Sequence, residues 1–211
     1  MTGQPRQARE RLLAAAVDYV AAHGAADLSL RALAAGIHTS HRMLIYHFGS
    51  KEGLLVEVVR AVEERQRVAL AELETTAGDT LADLTRAFFE RLADPALWPN
   101  ERLFFEMYGQ ALQGRPGTVG LLDSVITPWL QQGEELLRRH DFDSDAARAH
   151  ARLALAAGRG LLLDLLTTQD RAGVEEANEY FISLWEKRAD GRAARPARGR
   201  TATGRRPQTK R

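Results

Sequence analysis

The chain has 211 residues, enough for one large or two small domains and for a sizeable hydrophobic core. It contains no cysteine, which excludes disulfides, thiolate metal sites and a cysteine nucleophile. No stretch approaches the ~18 consecutive apolar residues of a membrane span, and the polar start MTGQPRQARERLL lacks the apolar segment of a signal peptide. We therefore expect a soluble, cytoplasmic protein.

The formal net charge of +1 conceals a division along the chain. Residues 1–60 carry a net charge of +2, residues 61–188 carry −8, and residues 189–211 carry +7. The acidic middle belongs on a surface that faces away from phosphate groups. The totals therefore do not reveal a single basic surface for nucleic acid.

The first predicted element is a helix over about 8–23. Apolar residues recur in it at helical spacing, namely Leu12, Leu13, Ala16, Val17 and Val20. The pattern stops at His23-Gly24, and the preceding residues 1–7 are expected to form a flexible arm. We expect this helix to cover the two short helices that follow.

Residues 29–52 predict two short helices joined by a tight turn. Ser29 can cap the first helix and Ser40 or Thr39 the second, and the run Gly36–Thr39 interrupts the helical pattern. We expect three residues of the second helix to pack on the first: Met43, Leu44 and Phe48. This leaves His41, Arg42, Ile45, Tyr46 and His47 on the other side. Such an arrangement describes a helix-turn-helix whose second helix enters the DNA major groove.

Residues 8–55 resemble the DNA-binding domain of the TetR family of bacterial transcriptional repressors. The matching residues keep a fixed register: Ser29, Leu33, Ala34, Ser40, Leu44, His47, Phe48, Lys51, Glu52 and Leu54. Two positions depart from the family pattern. The usual turn glycine falls at His38, and the usual aromatic residue near the end of the recognition helix falls at Ile45.

The resemblance implies an all-α fold, with a three-helix DNA-binding domain over 1–50 and a helical effector-binding and dimerisation domain over 51–188. It implies a homodimeric repressor, without a cofactor, that binds a palindromic double-stranded DNA operator and is released by a small-molecule effector. The residues expected at the DNA are Ser29, Arg31, Thr39, Ser40, His41, Arg42, Ile45, Tyr46, His47 and Lys51.

Further helices are predicted after Ser50, which suits the N-cap of a long helix over about 51–75. The later ones cover about 79–93, 101–113, 117–140, 144–168 and 172–188, separated by proline, glycine and aspartate. No stretch alternates with the period of two that is typical of strands, so the residues also predict an all-α protein.

The segment from 88 to 129 holds many aromatic residues. In a family that binds effectors between these helices, they are candidates to line a cavity: Phe88, Trp98, Phe104, Phe105, Tyr108 and Trp129. Polar anchors are expected among Glu106, Arg102 and Gln110. The alternative for each aromatic residue is a place in a well-packed core. Trp129 is the preferred cavity residue, because Pro128 before it can bend the helix and open space.

The last two predicted helices resemble the pair that forms a four-helix dimer interface in the family. Interface residues are expected among Ala154, Ala157, Leu161, Phe181, Leu184 and Trp185, and packing within one chain is the alternative. Arg159 and Asp164 lie in an apolar stretch and would need partners, across the dimer or in a pocket.

Residues 189–211 are rich in Arg, Gly and Pro, which predicts a disordered basic tail. Such a tail either adds non-specific, salt-sensitive affinity for DNA or is solvated and inert. Two other classes of protein are alternatives to a repressor. An enzyme is disfavoured because the sequence has no His-Glu-x-x-His, phosphate loop or Gly-x-Ser-x-Gly. A ligand-independent architectural or membrane-surface protein would bind through the tail without sequence preference.

Overall fold

The computed structural model describes residues 3–25, 27–78 and 80–193, with side chains from 6 to 184 in those ranges. Within them the chain is all α, as predicted. The helices are α1 (Gly3–His23), α2 (Leu30–Gly36), α3 (His41–Phe48), α4 (Lys51–Leu73), α5 (Leu81–Leu92), α6 (Trp98–Leu112), α7 (Leu121–Arg139), α8 (Ser144–Thr168) and α9 (Arg171–Ala193), with a short 3-10 helix, Pro95–Leu97, before α6. None of the described helices is long and apolar enough to cross a bilayer.

Two predicted boundaries at the ends of the chain are wrong. Residues 3–7, expected in a flexible arm, belong to α1, where Arg6 pairs with Glu10 one turn later. The last helix, expected to end at 188, runs to Ala193. The part of the predicted tail from 194 to 211 lies outside the described residues.

Serine side chains begin three consecutive helices. The Ser29 Oγ accepts a hydrogen bond from the Ala32 N–H at 3.1 Å, and the Ser40 Oγ accepts one from the Met43 N–H at 3.2 Å. Ser50 does the same for α4, where the Gly53 N–H donates at 2.9 Å. Each cap satisfies a backbone donor that has no partner inside its helix.

The turn between α2 and α3 contains a left-handed residue, His38, with φ of 55°. The Thr39 N–H donates to the Ala34 carbonyl at 2.8 Å and the His38 N–H to the Ala35 carbonyl at 3.2 Å, a Schellman ending. Histidine tolerates this conformation better than most residues. The nearby Gly36 has another task, since a Cβ there would lie 2.1 Å from Cε2 of Tyr19. Tyr19 of α1 therefore packs directly on the backbone of α2.

Glycine also shapes the junction between α3 and α4. Gly49 has φ of 77°, and the Ser50 N–H donates to the Phe48 carbonyl at 2.9 Å, which closes a γ-turn. At Gly53 a Cβ would lie 2.3 Å from that same carbonyl oxygen. The first turn of α4 thus lies against the end of α3.

One hydrophobic core runs from the first three helices into the rest of the molecule. It joins buried residues of α1, α3, α4, α6 and α7, among them Val17, Val20, Leu44, Leu54, Val58, Leu103, Met107 and Val125. Leu44 and Phe48 enter this core one turn apart, as predicted. The prediction for Met43 is wrong. Its side chain points away from the face that carries Leu44 and Phe48 and is 41% exposed.

Candidate nucleic-acid interface and ligand cavity

Helix α3 turns its hydrogen-bonding side chains away from the core. His41, Arg42, Ile45 and Tyr46 are exposed, and Tyr46 is the most exposed of the large apolar and aromatic side chains at 73%. Because Leu44 anchors the opposite face, this orientation is fixed by packing. A short helix held by one face and polar on the other can place side chains against base edges.

The other residues expected at DNA lie close by in sequence and in the fold. Arg31 is exposed on α2, Ser29 and Ser40 are exposed caps, and Thr39 is half-buried in the turn. Lys51 is half-buried at the start of α4. His47 is half-buried with its ring edge on Tyr46, and its Nε2 is buried with no partner among the described residues. All of them lie in α2, α3 or the start of α4, or in the caps and turn that join these helices, and each of the three helices packs on the next.

A cavity of about 180 Å³ lies between α4, α5, α6, α7, α8 and α9. Its walls are mostly apolar and include three of the six predicted aromatic residues, Phe88, Phe104 and Trp129. Phe88 and Trp129 also touch each other, with ring centroids 5.7 Å apart. A mostly apolar cavity with a few polar groups is typical of a small-molecule site.

The other three predicted aromatic residues lie outside the cavity lining. Trp98 donates its Nε1–H to the Ala93 carbonyl at 3.3 Å and packs on a separate small cluster around Phe89. Phe105 and Tyr108 pack against the main core beside Phe104. The sequence pattern alone could not tell which residue of each aromatic pair faces inward.

The expected polar anchors also lie outside the lining of this cavity. Arg102 is exposed and stacks over the Trp98 ring, while the Gln110 side chain donates to exposed Glu106 at 3.1 Å. The polar lining instead includes residues that were not among the predicted ligand-binding positions: Glu63 and Gln66 of α4, Glu101 of α6, and Asn178 of α9. Arg159 of α8, which was expected to need a partner, finds it in this cavity.

These polar groups form a buried network. Glu63 Oε2 accepts from Trp129 Nε1 at 2.7 Å and from Arg159 Nη2 at 3.3 Å. Arg159 also donates to the Val125 carbonyl at 2.5 Å, and its guanidinium lies 5.0 Å from the centroid of the Phe104 ring. Gln66 Nε2 donates to Glu101 Oε1 at a long 3.5 Å.

Burial shifts both carboxyl groups towards the protonated form. It raises the pKa of Glu101 to about 8, with the neighbouring charge of Glu63 acting in the same direction. Burial also raises the pKa of Glu63, although Arg159 and the Trp129 N–H oppose that shift. Because Arg159 and the Trp129 N–H both donate to Glu63, whereas Glu101 accepts only from Gln66 among the described residues, we place the charge on Glu63 and the proton on Glu101 at neutral pH.

The residues expected at a dimer interface are divided between two faces. Ala154 and Phe181 line the cavity, Leu161 packs on the Phe89 cluster, and Ala157 is half-buried. Leu184 is exposed, and the side chain of Trp185 lies outside the described residues. An exposed apolar stripe on α8 starts one residue before the expected Ala154 and consists of Leu153, Ala156, Gly160 and Leu163. The stripe continues on α9 with Ala177, Tyr180 and Leu184.

The raised pKa of Glu101 makes stability depend on pH. An unfolded chain ionises this carboxyl near its ordinary value of 4.5, whereas the folded chain holds the proton up to about pH 8, so stability falls between these values. We expect Glu101→Gln to be increasingly more stable than the wild type as pH rises from 5 to 8, by at least the ~1.4 kcal/mol of one pKa unit. Urea unfolding at several pH values measures this.

The matched control is Glu106→Gln, which changes an exposed glutamate of the same helix. Its unfolding profile should follow that of the wild type. A constant difference between Glu101→Gln and the wild type across this range would mean that Glu101 is already ionised in the folded chain.

Comparison with known proteins agrees with this architecture. Residues 12–58 match the family described as bacterial regulatory proteins, tetR family. No curated protein matches the sequence.

Solved structures extend the similarity to most of the chain. A TetR-family transcriptional regulator from Pectobacterium atrosepticum superposes with a TM-score of 0.69 at 21% identity, covering 93% of this chain and 100% of that one. A member of the TetR family from Streptomyces coelicolor gives 0.58 at 26% identity, with 82% and 96% covered. A transcriptional regulator from Pseudomonas aeruginosa gives 0.64 at 22% identity, with 89% and 94% covered. Residues 12–58 therefore match a TetR-family DNA-binding segment, and the chain as a whole has the fold of TetR-family transcriptional regulators, which supports a role in DNA-binding transcription regulation.

Proposed function

We propose that the protein is a homodimeric transcriptional repressor that leaves a palindromic operator when a small-molecule effector occupies the cavity. The observation that carries the proposal is the position of α4. Its first turn lies against the end of α3, and Glu63, Gln66 and Leu70 further along it line the cavity. Bacterial DNA lies in the cytoplasm, so the proposal places the protein there.

The division of labour follows the expected domains, 1–50 for DNA and 51–188 for effector and dimer. In the first part, exposed Arg42 and Tyr46 on α3 supply hydrogen-bonding groups to base edges. Arg31 and Lys51 supply positive charge for the flanking phosphates. In a dimer, the two DNA-binding domains would contact half-sites separated by about 34–36 Å or a multiple of it.

A network of charged residues links α4 and α7, two helices that line the cavity, to α1 in the DNA-binding part of the chain. Glu57 of α4 accepts hydrogen bonds from Arg9 of α1 at 2.5 Å and from Arg60 at 2.7 Å. Arg60 also donates to Ser124 Oγ at 3.0 Å and to the Gly120 carbonyl at 2.9 Å, both at the start of α7. Burial raises the pKa of Glu57, but these two arginines outweigh it and hold the pKa below its ordinary value. A ligand that moves α4 or α7 therefore acts on α1 as well.

Release of the operator needs only an effector that binds more tightly to one arrangement of the two DNA-binding domains than to the other. The cavity touches α4 and α7 through Glu63 and Trp129, which share a hydrogen bond. A ligand inserted between them has to disturb or extend that contact. This supports coupling between the cavity and the operator, and in the proposal the ligand favours the arrangement with lower affinity for DNA.

The proposed dimer interface is the exposed apolar stripe of α8 and α9 defined above. Tyr180, Leu153 and Leu163 are large, exposed and apolar or aromatic, and Ala156 and Gly160 between them allow a second helix to come close. An exposed apolar surface of this kind is typical of a protein–protein contact. A second copy of the chain covers it in the proposal.

The DNA-binding part is tested by selecting bound sequences from random DNA. We expect a palindrome, because a symmetric dimer reads two inverted half-sites. Arg42→Ala should weaken binding to the selected site by ~1–3 kcal/mol and change binding to random DNA much less, since base contacts carry the discrimination. Arg148→Ala, an exposed arginine at the start of α8, is the control.

Recovery of no preferred sequence would contradict the proposal and favour an architectural protein that binds through its tail. That alternative also predicts that removal of residues 194–211 abolishes all binding to DNA, whereas the proposed repressor keeps its sequence-specific site. Equal weakening of both kinds of DNA by Arg42→Ala would limit Arg42 to a phosphate contact.

The effector is tested by screening small molecules for thermal stabilisation and then titrating the operator with each hit. A ligand of the cavity should lower operator affinity by ~5–150-fold, and the operator should lower ligand affinity by the same factor. Trp129→Phe should weaken ligand binding, whereas Trp98→Phe should not, because only the first indole lines the cavity. Hits that stabilise the protein without moving the operator dissociation constant would contradict release by the cavity.

The dimer is tested by Leu184→Glu. Leu184 is 45% exposed in the single chain, so the variant should fold, run as a monomer and lose operator affinity. Val68→Glu is the matched control, since Val68 is 48% exposed on α4 outside the proposed interface. Sedimentation and circular dichroism separate dissociation from unfolding. A Leu184→Glu variant that stays dimeric would place the interface elsewhere.

A further inference from the structure

The titratable side chains that line the cavity are Glu63, Glu101 and Arg159. When all three ionise, the two acids and one base give these side chains a net charge of −1, which is one positive charge short of balance. An isolated buried charge is costly, and a protein interior avoids it by protonation or by pairing. Because Arg159 can balance only one of the two acids, the protonation state of the other acid determines what charge a ligand can bring.

Arg159 already has partners within the chain. It donates to Glu63 and to the Val125 carbonyl, and its guanidinium lies over the rings of Phe104 and Tyr108. An anionic ligand would have to take Arg159 from Glu63 and would leave that carboxylate buried with less compensation. It would also approach Glu101.

Glu101 has the least support of the three. Its one hydrogen bond among the described residues comes from Gln66 at 3.5 Å, although its side chain is only 3% exposed. Gln66 is itself oriented by α5, where Arg91 Nε donates to Gln66 Oε1 at 3.2 Å. A buried carboxyl group that lines an apolar cavity with one long hydrogen bond lacks a strong donor.

We infer that the cavity takes a compact apolar amine in its cationic form, with the ammonium group donating to Glu101. This rests on the proposed function only in treating the cavity as the effector site. On binding, the ammonium keeps its protons and the Glu101 carboxyl loses its own to solvent, so one cation enters and one proton leaves. The net charge of the site is unchanged, which avoids the cost of an added buried charge.

The walls fit such a ligand. The space of about 180 Å³ is smaller than the ~300–1,000 Å³ that is typical of drug-sized ligands, which favours a single ring or a short chain. Phe88, Phe104 and Trp129 offer aromatic faces, which attract cations. The guanidinium over Phe104 shows this attraction already in use.

The other groups around Glu101 set the direction of the pH effect. Glu63 and Gln66 face it from α4 and Arg159 from α8, while Arg67 and Arg91 act at one remove. The α7 and α9 helices contribute Trp129 and Asn178, which do not titrate. Since Glu101 holds its proton up to about pH 8, amine affinity should rise with pH until that value and then level off.

The test compares matched ligands on the full chain by calorimetry. Phenethylamine, cyclohexylethylamine and hexylamine are each paired with the alcohol and the carboxylate of the same skeleton. We expect at least one amine to bind more tightly than both of its partners, with release of close to one proton per ligand at pH 6.5. Its affinity should rise about tenfold per pH unit between pH 6 and 7.5, as expected for one displaced proton.

Glu101→Gln should lose the pH dependence and at least about tenfold in amine affinity at pH 8, while the alcohols bind as before. Glu106→Gln should behave as the wild type. Proton release on the wild-type protein needs no variant, so a Glu101→Gln chain that fails to fold leaves the test intact. Amines that bind no more tightly than their alcohols and carboxylates, or bind without releasing a proton, would overturn the inference.

Operator titration separates this inference from the proposed function. Amines that bind with proton release but leave operator affinity unchanged would support the ligand class and contradict effector release. Alcohols or carboxylates that bind the cavity and release the operator would do the reverse.

Discussion

Both halves of α4 are buried, each in a different part of the molecule, and the rest of the structure depends on this constraint. Leu54 and Val58 in its first half belong to the core beneath the recognition helix, and Glu63 and Gln66 in its second half form the polar end of the cavity. One rigid helix thus takes part in two packing environments. A shift in either environment has to be accommodated in the other, because the core between them is continuous through α6 and α7.

The cavity combines this mechanical position with an electrostatic cost. Carboxyl groups at 7% and 3% exposure reduce stability unless their charges are matched, and only Glu63 has a cationic partner within hydrogen-bond distance. A core built only for stability would be filled with aliphatic side chains at these positions. The retained acids and the unfilled space between them are therefore best understood together, as a site that is completed by another molecule.

The helix-turn-helix could be predicted because its signals are local. Ser29, Ser40 and Ser50 cap the helices that follow them, and Leu44 and Phe48 share a face whatever the rest of the chain does. The cavity lining could be predicted only in part, because the sequence does not say which of Phe104 and Phe105 faces inward. Glu63 and Gln66 resemble solvated residues, although both continue the apolar spacing of Val59 and Val62. The exposed apolar stripe of α8 lies one residue before the residues that were predicted for the interface, because other faces of α8 are partly buried within the chain.

The glycines between α3 and α4 have a geometric consequence. Gly49 and Gly53 let the two helices meet without an intervening linker, so α3 follows α4 as one rigid lever. Ten residues of helix separate Gly53 from Glu63, a lever arm of about 15 Å. A pivot of about 5° at the level of the cavity would move the recognition helix by about 1 Å at the other end, by this same helical rise. That displacement is comparable with the distance over which a hydrogen bond to a base edge is made or lost.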